Sequence, residues 1–419
     1  MTILDAPDNT TNTTANLEQD WRTVLLYAVA KMFDRAAYYG IRSIFVLSLV
    51  LGSFEMERTE ALALYGSFAG AALASEILGA IFGDLLLGNR KTILIGGALQ
   101  ALGALCLCGS EMYNVYVGGC LIAVGSGLFT PNIVANFGRS YLRKIHLLDA
   151  GFSIFYLAIN LGSFFGVLFL GYMGGVYGWS YGFGLAAVFS LLSILPVFYL
   201  KEQTLEEAKK YSFPSSGKFV KIILVVLVNA LFWGVYSLIG LPMDTIKFDL
   251  VEGSSQEILF SNWSNHSLIF SSIIAIVCSI IWSHFHSTRF FKLTVSFLLM
   301  ALSIGILFFI LEIMQDEIII YFAIATIVLS AAEIYIAPVL LSMITEYANP
   351  KYLATTYAFA TLPAKMIGTV IFSLVAPGLL ETPLQNLSVG LSIALLCAVS
   401  TAIVFLLNKL KKNKDLSRL

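Results

Sequence analysis

Between Lys31 and Arg42 the chain reads KMFDRAAYYGIR, inside a run of residues 22–50 that is otherwise largely apolar. Lys31, Asp34 and Arg35 stand at i, i+3 and i+4, so on a helix they share one face, which Tyr38 and Arg42 continue at i+7 and i+11. Lys31 lies nine residues beyond Arg22, which at the rise of an α-helix is about 13 Å. If the run crosses a bilayer, these charges sit near its midplane. There each costs about 2.5–3.5 kcal/mol on insertion scales. Such a stripe faces a wet cavity or other charges, and lipid is excluded. Two kinds of chemistry fit: capture of a charged solute, or an internally paired Lys–Asp–Arg cluster that serves the structure.

Other ionisable residues interrupt apolar runs. Glu76 follows small residues in AALASE, and Glu333 lies in LSAAEIYIAPVLLSMITEY, where small neighbours let a cavity approach the backbone. A carboxylate at either place could bind an amine, carry a proton, or stay buried as a hydrogen-bonded acid. Lys365 follows Pro363 and could pair with an acid across an interface. Asp84, in GAIFGDLLLGNRKT, stands at the end of an apolar run just before Arg90 and Lys91. That placement suits a group that ties helix ends together and stabilises one state of a gate, with Arg90, Lys91 and Lys365 as further gating candidates.

Enzyme chemistry finds little footing. His146, His266, His284 and His286 form no metal-ligand spacing with Cys or acids. There is no P-loop, and GSGLFTPN has only two close glycines. The five cysteines (Cys106, Cys108, Cys120, Cys278, Cys397) sit in apolar runs and read as packing residues. No metal and no cofactor is expected.

The elements that must position these charges follow from composition. The 419 residues are 58% hydrophobic and 12% charged, with a mean hydropathy of +0.84, where a soluble domain carries about 25% charged residues. The net charge of −1 offers no basic field for nucleic acid. The first twenty residues lack a basic segment followed by an apolar core, so no cleavable signal peptide is expected. Runs long enough to span a bilayer fall at 22–50, 60–87, 91–110, 113–138, 147–173, 178–200, 218–243, 263–285, 290–313, 317–346, 351–378 and 386–408. The polar segment KEQTLEEAKKYSFPSSG at 201–217 divides them into six and six.

Of the 25 Lys and Arg residues, nineteen fall in one set of loops and ends, two (Arg58 and Lys247) in the opposite set, and four within spans. The asymmetry places both termini and the central loop in the cytoplasm. The expected domains are a cytoplasmic tail at 1–21, a six-helix bundle at 22–200, a linker at 201–217, a second bundle at 218–408 and a basic tail at 409–419. This is an all-α membrane protein with twelve transmembrane helices in two six-helix halves, the plan of the major facilitator fold.

Four segments resemble the proton-dependent oligopeptide transporter family, the POT or PTR group of the major facilitator superfamily. DRAAYYGIRSIFVL is similar to the helix 1 pattern ExxERFxYYGxRxxL, and GAIFGDLLLGNRKTILIGG to the signature around the helix 2–3 loop. FSIFYLAINLGSFFG carries FYxxINxG of helix 5, and AAEIYIAPVLLSMITEYANP is similar to GExxxSPxGLSxxTxxAP of helix 10. The resemblance implies that Arg35, Tyr38, Tyr39 and Arg42 line a peptide site, the arginine meeting the substrate carboxylate. It implies that Asn160 lies near the peptide backbone, that Trp233 is a pocket tryptophan, and that Glu333 receives the peptide amino terminus. Asp34 stands at the second Glu of ExxER.

The departures are as definite. Lys31 replaces the first Glu of that motif, Thr130 replaces the helix 4 lysine, and the helix 7 acid is absent near Tyr236 and Ser237. Ser267 stands for the helix 8 asparagine, and the extra helix pair between the halves is missing. Lys31, from helix 1, could supply the cation lost at Thr130.

These readings together lead to a monomeric inner-membrane secondary transporter of small peptides or peptide-like zwitterions, working by alternating access and importing with a proton as coupling ion. Asp34, Glu333 and Glu76 are its candidate proton carriers. The alternatives are a uniporter or exchanger of a non-peptide organic anion, and a non-transporting nutrient sensor.

Overall fold

The computed structural model describes residues 9–142, 144–200, 216–252, 277, 288–310, 318–366 and 382–416. Among them the chain is helical throughout: α1 (Asn9–Leu51), α2 (Arg58–Ile81), α3 (Asn89–Cys106), α4 (Met112–Ser140), α5 (Leu148–Tyr177), α6 (Trp179–Tyr199), α7 (Ser216–Glu252), α8 (Arg289–Ile310), α9 (Ile318–Tyr347), α10 (Leu353–Met366) and α11 (Pro383–Leu416). Eight helices among these residues are long and apolar enough to cross a membrane. α1 falls short only because Lys31, Asp34, Arg35 and Arg42 interrupt its apolar run. The span expected at 263–285 lies outside the described residues apart from Val277, as do 201–215 of the linker, Ser267 and the second half of the span at 351–378.

Three helices overrun the expected boundaries. α1 is helical from Asn9, inside the expected tail, and no Gly or Pro interrupts it between Asn9 and Gly40. α7 continues past residue 243 to Glu252. α11 opens on Pro383, a favoured first position, and runs to Leu416 through a basic stretch without Gly or Pro.

Helices α1–α6 pack into one bundle and α7–α11 into a second. The bundles meet where α5 touches α9 and where α10 touches α2 and α4. A continuous apolar core crosses that junction, with Phe137, Phe152 and Phe155 of the first bundle and Leu340, Ile344 and Tyr357 of the second in one cluster. The junction lies at the end of the molecule that carries the basic loops.

Close helix packing decides where the charged stripe of α1 points. α5 contains GSFFG, a G-x-x-x-G spacing that lets helix backbones approach in the absence of a hydrophobic driving force. A Cβ on Gly162 would lie 2.1 Å from the carbonyl oxygen of Met32, and one on Gly166 would lie 2.1 Å from that of Ala36. α5 therefore covers the Met32 and Ala36 side of α1, and the Lys31–Asp34–Arg35 face turns toward α3 and α4. At the end of α2 the helix widens into a π-helical turn, Phe82–Leu87, which carries Asp84. Gly88, at φ 81°, reverses the chain into α3.

Candidate functional site

The stripe on α1 divides into a buried part and an open part. Lys31 is 1% exposed and so is Asp34. Oδ2 of Asp34 accepts from Lys31 Nζ at 2.9 Å and from Arg35 Nε at 2.8 Å. Its Oδ1 accepts from Gln100 Nε2 of α3 at 3.2 Å. Thr130 Oγ1 of α4 accepts from Arg35 at 2.6 Å and from Lys31 at 3.3 Å, and Lys31 Nζ lies 5.7 Å from the centre of the Phe129 ring. Glu76 of α2 is close enough to act on Lys31 electrostatically.

Arg35 links this cluster to the open part. Its guanidinium lies 4.9 Å from the Tyr38 ring centre and 5.9 Å from that of Tyr39. Two turns on, Arg42 is exposed and lies 5.9 Å from the Tyr65 ring. Tyr38, Arg42 and Tyr65 line a cavity of about 50 Å³, whose remaining walls are apolar.

Across from α1, Glu333 of α9 is half-buried. The Tyr156 hydroxyl of α5 donates a short hydrogen bond to its carboxylate, and Tyr236 of α7 lies close to it. Tyr236 is within electrostatic reach of Tyr39 and Arg42, so the tyrosines join the α1 stripe to Glu333. Trp233 stacks beside Tyr236 with ring centres 5.2 Å apart. The Tyr156 bond ties the two bundles at this level. The arrangement offers cations and phenol rings on one wall and a carboxylate on the other.

At the basic-loop end a second polar layer joins the bundles. Asp84 Oδ1 accepts from Arg139 of α4 at 2.7 Å, and its Oδ2 accepts from the Thr355 amide at 2.8 Å and hydroxyl at 3.0 Å. Arg139 Nε donates to the Pro350 carbonyl at 2.7 Å and a further N–H donates to Asn89. Arg289 of α8 pairs with Asp149 of α5 at 2.8 Å and also with Glu346. This end is closed.

Several residues singled out in the sequence have placements that differ from expectation. Lys31 does not line the open cavity; α5 turns it into the α1–α3–α4 interior, where Asp34 and Thr130 hold it. Asn160 is buried and donates to the Tyr156 carbonyl of its own helix at 3.0 Å. Arg90 does not bridge the bundles. It donates to the carbonyls of Val197 and Phe198 at the end of α6, at 3.3 and 2.7 Å, where a cation complements the helix terminus. Lys91 is exposed. The Lys365 backbone is in α10, and its side chain lies outside the described residues.

Tyr156, Tyr236, Tyr65, Gln100, Arg139, Asp149, Arg289 and Thr355 were not singled out. Tyr156 was within reach, one turn before Asn160 inside the FYxxINxG segment, and Asp149 and Arg289 are charges at the edges of apolar runs.

The comparisons with known proteins agree with this architecture. Residues 27–373 match the Major Facilitator Superfamily. A dipeptide and tripeptide permease A of Yersinia pestis is 30% identical over 209 residues, 49% of this chain and 41% of the relative. That of Pectobacterium carotovorum is 31% identical over 217 residues, 50% of this chain and 42% of the relative. The matched region thus spans less than half the length of these relatives. Among solved structures, a POT family transporter in complex with 5-aminolevulinic acid superposes with a TM-score of 0.64 at 19% identity, over 92% of this chain and 96% of that one. Another, in complex with a thioalcohol conjugated peptide, gives 0.64 at 18% identity, over 93% and 96%. With its two helical bundles and a family match over most of its length, the chain belongs to the Major Facilitator Superfamily.

Proposed function

We propose that the chain is a divergent POT-type secondary transporter that moves a small peptide or peptide-like zwitterion by alternating access, importing it with protons. One observation supports this above the rest. The wall formed by α1 presents Arg35 and Arg42 among tyrosines, while the wall formed by α9 presents Glu333 with the Tyr156 hydroxyl on it and Tyr236 nearby. A carboxylate at the first and an ammonium at the second match a free peptide.

The geometry also suggests how binding reaches the gate. The Tyr156 hydroxyl on Glu333 belongs to the other bundle. An arriving ammonium competes for the same carboxylate and weakens this tie between bundles. Ammonium–carboxylate bonds are stronger than those from a neutral hydroxyl, so the exchange is favourable. With the basic loops facing the cytoplasm, the closed end is the cytoplasmic gate and the conformation faces outward. Residues 22–200 and 218–408 are the two moving bundles, in the inner membrane with both termini cytoplasmic.

Glu333→Gln keeps the shape and removes the charge. A hydrogen bond to a charged group contributes about 1.5–3 kcal/mol, or about 10- to 150-fold in affinity. Free-amine dipeptides should weaken by that factor in a ligand-dependent thermal-stability assay, and N-acetylated analogues should change little. Equal weakening of both would overturn the amine assignment. The exposure of Arg42 also suits a non-peptide organic anion; unchanged anion binding with no peptide binding in the wild type would favour that reading.

A further inference from the structure

At the end of the first bundle away from the basic loops, three connections meet: 52–57 after α1, 107–111 between α3 and α4, and Gly178 between α5 and α6. They enclose a cavity of about 260 Å³. It is distinct from the cavity beside Arg42, and Phe45 is the one residue common to the two linings. The backbone fixes its shape. Gly178, at φ 111°, turns the chain from α5 into α6. Trp179 follows and packs beside Gly52, where a Cβ would lie 3.2 Å from the indole ring. Ser180 and Cys108 bind each other twice: the serine hydroxyl donates to the Cys108 carbonyl at 2.9 Å, and the thiol donates to the Ser180 carbonyl at 3.3 Å. The Met56 amide donates to the Leu49 carbonyl at 3.0 Å, which folds the segment carrying Ser53 and Phe54 back onto α1.

We propose that this cavity is a second binding site, for a small neutral aromatic molecule that carries a hydroxyl or N–H donor, such as an aryl alcohol, a phenol or an indole. Phe45, Phe54, Trp179 and Phe183 give it aromatic walls, which hold a flat ring through offset and edge-on contacts that an alkyl chain cannot make. Among the described residues that line it none is ionisable, so a charged ligand would lose hydration without gaining a counter-charge. Ser53, Ser110 and Ser180 are exposed, whereas Ser48 is buried. The Ser48 hydroxyl donates its hydrogen to the Phe45 carbonyl at 2.7 Å, which leaves its oxygen to accept from a ligand. A cavity of about 150 Å³ holds benzene, so this one takes a substituted ring or a fused pair. The first bundle supplies every described lining residue, so opening or closing between the bundles leaves the site intact.

The test uses 4-bromobenzyl alcohol, whose bromine quenches tryptophan emission on contact, with the purified full chain in detergent. Quenching should saturate with probe concentration, and Trp179→Phe should remove the saturating part. Ser48→Ala should weaken the probe by about 2- to 12-fold, the worth of one buried hydrogen bond. Val115→Phe places a larger side chain in the lining and should abolish saturable binding. 4-Bromobenzoate should bind about tenfold more weakly or worse, for want of a counter-charge. Hexanol should displace the probe less well than unsubstituted benzyl alcohol does. Quenching that only rises linearly overturns the proposal, as does a saturating quench of full size in Trp179→Phe. Binding of the benzoate as tight as that of the alcohol, or displacement by hexanol as strong as by benzyl alcohol, overturns the ligand class. If Val115→Phe does not fold, Ser48→Ala decides, and an unchanged affinity there overturns the site.

Discussion

Replacing Asp84 with Asn should open the closed end of the molecule. Asp84 Oδ2 accepts two hydrogen bonds from Thr355, at 2.8 and 3.0 Å, and these cross from one bundle to the other. Oδ1 holds Arg139, whose Nε reaches the Pro350 carbonyl at 2.7 Å. Hydrogen bonds to a charged group are worth about 1.5–3 kcal/mol each. Asn retains one acceptor oxygen and presents an amide nitrogen in place of the other, so one side of the network faces donor against donor. A net weakening of the closed state by about 2–4 kcal/mol follows, which shifts the closed-to-open ratio by about 30- to 1000-fold. Spin labels on cysteines at Lys91 and Tyr352, both exposed at this end, report the change by electron–electron distance measurement. The wild type should show one short distance and Asp84→Asn a dominant longer one. An unchanged distribution would refute the role assigned to Asp84.

Arg289→Gln removes the pairing with both Asp149 and Glu346, and the same label pair should show a smaller shift toward the long distance, because these side chains are 20–30% exposed and partly screened. Gly162→Ala places a Cβ 2.1 Å from the Met32 carbonyl; overpacking of this kind costs about 1–3 kcal/mol, read as a lower unfolding temperature in detergent together with loss of dipeptide uptake. Asp34→Asn leaves Lys31 and Arg35 buried without a common counter-charge, a loss of about 3–5 kcal/mol, seen as failure to recover monodisperse protein.

The sequence and the structure agree where one physical signal dominates. Hydropathy alone locates α2 through α6 and α8 to within a few residues, because a span needs length and apolarity and little else. Spacing along α1 puts Lys31, Asp34 and Arg35 on one face, but it cannot say which neighbour that face meets. The Gly162 and Gly166 contacts with α1 decide that, and they turn Lys31 inward while Arg42 stays open. The gate illustrates a second limit. Asp84 is legible as a helix-end carboxylate, yet its partner is Arg139 from α4, and the nearby Arg90 caps α6. Pairing over such separations depends on how α2, α4 and α10 converge, which no local pattern encodes. Tyr156 and Tyr236 escape for a related reason, since a tyrosine in an apolar run reads as packing until a carboxylate is found opposite its hydroxyl.

The most direct measurement is uptake of a labelled dipeptide into proteoliposomes holding the full chain, with an inwardly directed proton gradient imposed and then collapsed by an uncoupler. Dipeptide should accumulate above its external concentration while the gradient lasts and leak out when it collapses. Glu333→Gln should only leave the lumen at background, and N-acetylated dipeptide should not accumulate. Uptake that merely equilibrates with or without the gradient, or accumulation of N-acetylated peptide as strong as that of the free amine, would contradict proton-driven transport of a zwitterion.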